Sequence, residues 1–243
     1  MKGKVGVISV VMVFFGMIGI ASASNILYFN DYVVGTDRMG EALTALSGTH
    51  SVTTVSSSSD FATQIASGSY HLGILMVQNY QTSTYADGIN ALGTFVAAGG
   101  RSIYTDWYRD NTYATLFGAQ WTGGVNQNTI TVSDPALAAG ITNPIFLSNP
   151  GWGVFSMDVD GDSIAATFGN GEGAIAFGIF GRSITNGFLT DTFVDGSQGI
   201  KLYENEIDYL LGAQPIPEPA TMLLLGSGLL GLAGYGRRRF HKK

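Results

Sequence analysis

Apolar and polar positions follow two alternating periods through the first hundred residues. Short apolar runs at residues 26–29, 50–55, 72–77 and 101–105 predict strands, and the segments between them carry apolar residues at helical spacing. The predicted helices cover residues 38–46, 60–66 and 85–98, the last with Ile89, Leu92, Phe95 and Val96 on one face. Residues 72–77 are apolar throughout, the pattern of a strand covered on both sides. Gly99-Gly100 closes the third helix, because glycine readily takes the left-handed conformation of a helix C-terminus. Repeated strand–helix units of this length imply right-handed crossovers and a parallel sheet.

The pattern changes in the second half. Residues 129–132 predict a strand, and Asp134-Pro135 opens a short helix to residue 139. Residues 154–159 and 163–168 flank Asp160-Gly161, a hairpin signal, and residues 174–179 form a further apolar strand. The closing helix, residues 202–211, places Leu202, Ile207, Leu210 and Leu211 toward the sheet. The expected class is α/β, with a mainly parallel central sheet and antiparallel additions in the second half.

Both ends break this pattern. Lys2 and Lys4 precede an apolar stretch at residues 5–20, interrupted by Ser9, and Ala21-Ser22-Ala23 supplies the small-x-small site of signal peptidase, so cleavage is expected after Ala23. At the other end, Pro217-Glu218-Pro219 leads into the uncharged residues 220–236, near the lower length limit for a membrane-crossing helix. Arg237, Arg238 and Arg239 follow, with two terminal lysines, and favour the cytoplasmic side. The expected order is a signal peptide (1–23), a core (24–213), a linker (214–219), a transmembrane helix (220–236) and a basic cytoplasmic tail (237–243).

This tail resembles the PEP-CTERM sorting signal of exported bacterial proteins. The resemblance implies passage through the general secretion machinery, retention at the membrane by the tail, and processing by an exosortase, a membrane-embedded cysteine transpeptidase. The hosts of such proteins typically make extracellular polysaccharide. It implies a destination at the cell envelope or beyond, and says nothing of what the core does.

Composition narrows the core. The chain has no cysteine, which excludes cysteine nucleophiles, thiolate metal sites and iron–sulfur clusters and leaves the fold to be held by its packing. Between the two signals stand five basic residues (Arg38, Arg101, Arg109, Arg182 and Lys201) against 17 acidic ones, a net charge of −12. Nucleic acid is therefore not an expected partner. The sequence has no Walker-type loop and no Gly-x-Gly-x-x-Gly after the first strand, so no nucleotide cofactor is expected, nor any other.

The initial strand, Gly99-Gly100 before the fourth strand, the late hairpin region, Gly181-Arg182 and the final helix carrying Glu204 to Leu210 together resemble the class I glutamine amidotransferase-like fold and its trehalose-utilisation-type relatives. The likeness spans residues 25–212 and implies a flavodoxin-like three-layer sandwich. The family sets a cysteine in the sharp turn after the strand that follows the paired glycines. Thr105 or Asp106 occupies that position here, and the family's downstream histidine has no counterpart, since His50 and His71 come earlier. The thiolate mechanism is lost with the cysteine.

Several residues remain as candidates for chemistry. Asp106 is expected at the carboxyl end of a parallel strand, where doubly wound sheets bind ligands, with Asp31, Trp107, Tyr108, Arg109 and Asp110 in reach and Thr105 beside it. It can serve as nucleophile or base, or simply be a solvated or helix-capping aspartate. Asp158, Asp160 and Asp162 offer oxygen ligands for calcium, or merely flank a tight turn. Tyr104, Trp107, Tyr108, Tyr113 and Trp121, with Asn126 and Asn128, suit a sugar-binding surface or core packing, and Trp152 is a separate loop candidate. The leading expectation is an exported protein with a non-catalytic core, structural or polysaccharide-binding. The alternative is a hydrolase or sugar-processing enzyme centred on residues 105–109.

Overall fold

The computed structural model describes residues 23–32, 35–149 and 153–212. The signal-peptide stretch, Trp152 and the expected transmembrane helix with its sorting motif lie outside the described residues.

The first half alternates as its periodicity predicts. Strand β1 (Asn25–Asn30) leads to α1 (Arg38–Ala45), β2 (Ser51–Thr54), α2 (Ser58–Ile65), β3 (Leu72–Val77), α3 (Ala86–Ala97) and β4 (Arg101–Asp106). Side-chain caps fix two of the helix starts. Asp37 accepts from the Gly40 amide at α1 and Ser57 from the Asp60 amide at α2, satisfying N–H groups that have no partner within the helix. After β4 come a short helix α4 (Asn111–Ala114), then β5 (Ala119–Val125), β6 (Thr129–Val132), β7 (Ile145–Phe146), β8 (Met157–Gly161), β9 (Ser163–Phe168), β10 (Gly173–Gly178), β11 (Ser183–Asn186) and the long closing helix α5 (Gly196–Gly212).

Nine strands form one mixed sheet in the order β2-β1-β3-β4-β11-β10-β9-β6-β7. The first five run parallel, and the rest join antiparallel. Alternating side chains divide the core between two faces. Ile26, Tyr28, Ile74, Met76, Ile103 and Ile184 meet Met39 and Leu43 of α1 and Leu202, Ile207 and Leu210 of α5. Leu27, Phe29, Leu75, Val77 and Tyr104 meet Phe61 and Ile65 of α2 and Ile89, Leu92 and Val96 of α3. The architecture is the flavodoxin-like three-layer sandwich.

Two local expectations are corrected. Residues 134–139 form turns rather than a helix, with the Asp134 carboxylate accepting from the amides of Ala136 and Leu137. Nor do β8 and β9 form a hairpin across Asp160-Gly161. β8 pairs with β5 in a separate two-stranded ribbon, while β9 has β10 on one edge and β6 on the other. With both edges of β9 occupied, the turn carries the chain between layers. The ribbon and the turn that leads into it lie on β10 so closely that a Cβ at Gly173 would stand 2.0 Å from the Val159 carbonyl oxygen, and one at Gly178 2.1 Å from that of Phe117.

Candidate functional site

The carboxyl ends of β1, β3 and β4 bring the predicted strand-end residues to one edge of the sheet. Asp31 follows β1 directly and turns its carboxylate toward the loop after β3. It accepts from the backbone amides of Gln78 (2.7 Å), Asn79 (3.1 Å) and Tyr80 (3.3 Å). Asp106, the last residue of β4, is fully buried. Its Oδ1 accepts from the Thr82 hydroxyl (2.8 Å) and the Tyr108 amide (2.9 Å), and its Oδ2 from the Asp110 amide (2.8 Å). Burial pushes both carboxyl groups above the ordinary aspartate range, and these hydrogen bonds work in the opposite direction.

Gln78 ties the remaining loops to the same edge. Its side-chain amide donates to Asn30 Oδ1 (2.7 Å) and to the Tyr32 carbonyl (3.2 Å), and its Oε1 accepts from the Thr190 amide (2.7 Å). The Thr190 hydroxyl in turn donates to Asp37 Oδ1 (3.1 Å), whose Oδ2 accepts from the Tyr28 hydroxyl (2.6 Å). Polar groups at the strand ends thus form one bonded frame that includes the start of α1.

The chemistry sought around Asp106 is dispersed by this geometry. Asp31 and Asp106 stand on either side of β3, two strand spacings or about 10 Å apart. Asp31 lines one open cleft of about 340 Å³ with the serines of residues 56–59, Tyr85 and Asp87. Arg109, in the left-handed region at φ 60°, lines another of about 470 Å³ with Gln81, Tyr108 and Asn111, and Asp106 lines neither. Thr105 is wholly buried and its hydroxyl makes no hydrogen bond among the described residues.

The other candidates also separate. Asp158 is buried and accepts from the Asn170 side-chain amide (3.3 Å), Asp160 accepts from the Gly161 amide (2.9 Å) and Asp162 from that of Phe180 (3.1 Å). Among the described residues no three histidine, aspartate or glutamate side chains converge as a metal-binding group. The aromatic set does not assemble into a surface. Tyr104 and Trp121 are core residues, and Trp107 packs half-buried with its ring edge-on to Tyr108 at 5.4 Å. Asn126 braces a loop, donating to the Gly153 carbonyl and accepting from the Phe155 amide.

Sequence reasoning missed Tyr32 and Tyr80, which stand exposed at the strand-end edge beside Tyr108. A signal was available: each tyrosine lies two residues beyond a polar strand-end residue, in Asn30-Asp31-Tyr32, Gln78-Asn79-Tyr80 and Asp106-Trp107-Tyr108.

The sheet order defines a flavodoxin-like α/β core, and its fold is similar to that of glutamine amidotransferase-type proteins. Among solved structures, a protein described as a GMP synthase subunit from Thermoplasma acidophilum superposes with a TM-score of 0.55 at 12% identity, covering 80% of this chain and 97% of its own. A glutamine amidotransferase from Thermotoga maritima superposes with a TM-score of 0.52 at 10% identity, covering 78% and 99%. At such identities the likeness is one of fold. Residues 215–239 match the PEP-CTERM protein-sorting motif, which supports an exported protein of the cell envelope processed by an exosortase. No curated protein sequence matches the chain.

Proposed function

We propose that this chain is an exported envelope protein whose amidotransferase-like core has no catalytic role and serves as a structural or polysaccharide-binding module. In this reading residues 1–23 are removed by signal peptidase and residues 24–213 form the delivered core. Residues 214–219 link it to a membrane helix at 220–236, with residues 237–243 in the cytoplasm until an exosortase acts.

The observation that carries the non-catalytic reading is the state of the two strand-end carboxylates. A general base or nucleophile needs a lone pair directed at a substrate. Asp31 takes three backbone amides from the loop after β3, Asp106 takes the Thr82 hydroxyl and two amides from the turn after β4, and Asp106 is closed to solvent. The purified protein is expected to show no glutaminase, esterase or glycosidase turnover. Any turnover that Asp106→Asn abolishes in a folded variant would overturn the reading. Mass spectrometry of the mature protein tests the sorting half: new termini after Ala23 and near Pro217 are expected, and an intact tail in the delivered protein would refute processing.

A further inference from the structure

The loops that follow β1, β3 and β4 each carry an exposed tyrosine. β1, β3 and β4 are neighbours in the sheet, so the loops bearing Tyr32, Tyr80 and Tyr108 leave the same edge side by side. Their exposures are 44%, 57% and 48%. Each is fixed through its backbone. The Tyr80 amide donates to Asp31, the Tyr108 amide to the buried Asp106, and the Tyr32 carbonyl accepts from Gln78. Tyrosine gives large contact area at low conformational cost, and loops already pinned lose little further entropy when a ligand binds.

We infer that this row is a docking platform for a neutral polysaccharide chain, an inference that rests on the proposed reading of the core as a non-catalytic binding module. Sugar rings present C–H faces that pack on aromatic rings and hydroxyl rims that need polar partners. The row supplies the first, spanning about 10 Å over three strands. The cleft beside Tyr108 supplies the second, with the Gln81 carboxamide, the Ser83 hydroxyl and the Arg109 guanidinium. The core's net charge of −12 repels uronate- or phosphate-bearing polymers, which selects a neutral chain.

Affinity electrophoresis tests this with the full chain in detergent. The neutral probes are dextran, hydroxyethylcellulose and galactomannan, and alginate is the polyanionic comparison. At least one neutral polymer is expected to retard the protein, and alginate is not. Tyr80→Ala and Tyr108→Ala should each weaken the retardation about five- to tenfold. Phe180→Ala should leave it unchanged, since Phe180 is 89% exposed but sits at the opposite, amino-end edge of the sheet, just before β11. No retardation by any neutral polymer, retardation that both tyrosine variants retain, or equal retardation by alginate would each overturn the platform. Release of reducing ends from a polymer retained through the tyrosines would leave the platform standing and overturn the non-catalytic reading instead.

Discussion

Asp106 and Glu206 are both wholly buried carboxyl groups, one at the strand-end edge and the other in the middle of α5. Burial pushes both above their ordinary range, but their surroundings differ. Asp106 sits where the chain turns and receives two backbone amides and a hydroxyl. Glu206 lies over β11 with a single donor, the Asn186 side-chain amide at 2.9 Å on Oε2, and is pushed up to about 8. The difference follows from secondary structure. Turns leave backbone N–H groups free to neutralise a carboxylate, whereas those of a helix interior and a central strand are already committed. Glu206 Oε1 and Asn186 Oδ1 make no hydrogen bond among the described residues. A neutral Glu206 carries a hydroxyl on that arm, complementary to the carboxamide's free oxygen.

The largest expected effect is therefore on pH dependence. Glu206 has a folded value raised above its ordinary 4.5, so the folded protein keeps a proton that the unfolded chain releases. The stability this contributes is fully present below about pH 4.5 and is lost as pH rises to about 8, at up to roughly 1.4 kcal/mol per pH unit. Urea denaturation of the wild type and Glu206→Gln across pH 4 to 9 isolates it. The wild-type-minus-variant difference should fall through this window and then level. A flat difference would mean that Glu206 is no less satisfied than Asp106.

Replacing each acid by its amide sharpens the contrast at fixed pH. In Glu206→Gln the new carboxamide still offers one donor arm and one acceptor arm to Asn186, so at pH 5 the change should cost less than about 0.5 kcal/mol. In Asp106→Asn the carboxamide cannot reproduce what it replaces, because both carboxylate oxygens of Asp106 accept. Its oxygen can serve Thr82 and Tyr108, but its NH₂ then faces the Asp110 amide, donor against donor in a dry site. A loss of about 2–3 kcal/mol is expected, read from the denaturation midpoint. Equal costs for the two variants would break the comparison.

The two regions were also unequally legible. β1, β3 and α3 carry their own periodicity, so their positions follow from local pattern, and residues 72–77 emerge with the predicted bounds. β11, which supplies Asn186, reads Ser-Ile-Thr-Asn and has one apolar side chain, yet all four residues are buried between β4 and β10. Its place is decided by the sheet around it, not by propensity. The turn at Asp160-Gly161 was visible, but the partner of β8 depended on which strand edges remained open. At the candidate site, the position of Asp106 at a strand end could be read, whereas its hydrogen bonding depended on two amides from the turn after β4 and a hydroxyl from the segment after β3. Tyr104 and Tyr108 look alike in sequence, and only strand alternation and the Asp106 turn send one into the core and the other to solvent.

Asp31 gives the smallest effect and tests whether burial orders the series. Like Asp106 it accepts from neighbouring strand-end groups, here three backbone amides of the loop after β3, but it is only partly buried. In Asp31→Asn the single oxygen is expected to stay with the Asn79 and Tyr80 amides and leave the Gln78 amide facing the new NH₂. Water can reach this edge and take part of the lost hydrogen bond, so the cost should be about 1 kcal/mol, below that of Asp106→Asn. Hydrogen exchange should quicken at the Gln78 amide while Tyr80 keeps its protection. A cost matching that of Asp106→Asn would show that the number of donors, rather than their distance from water, sets what these carboxylates contribute.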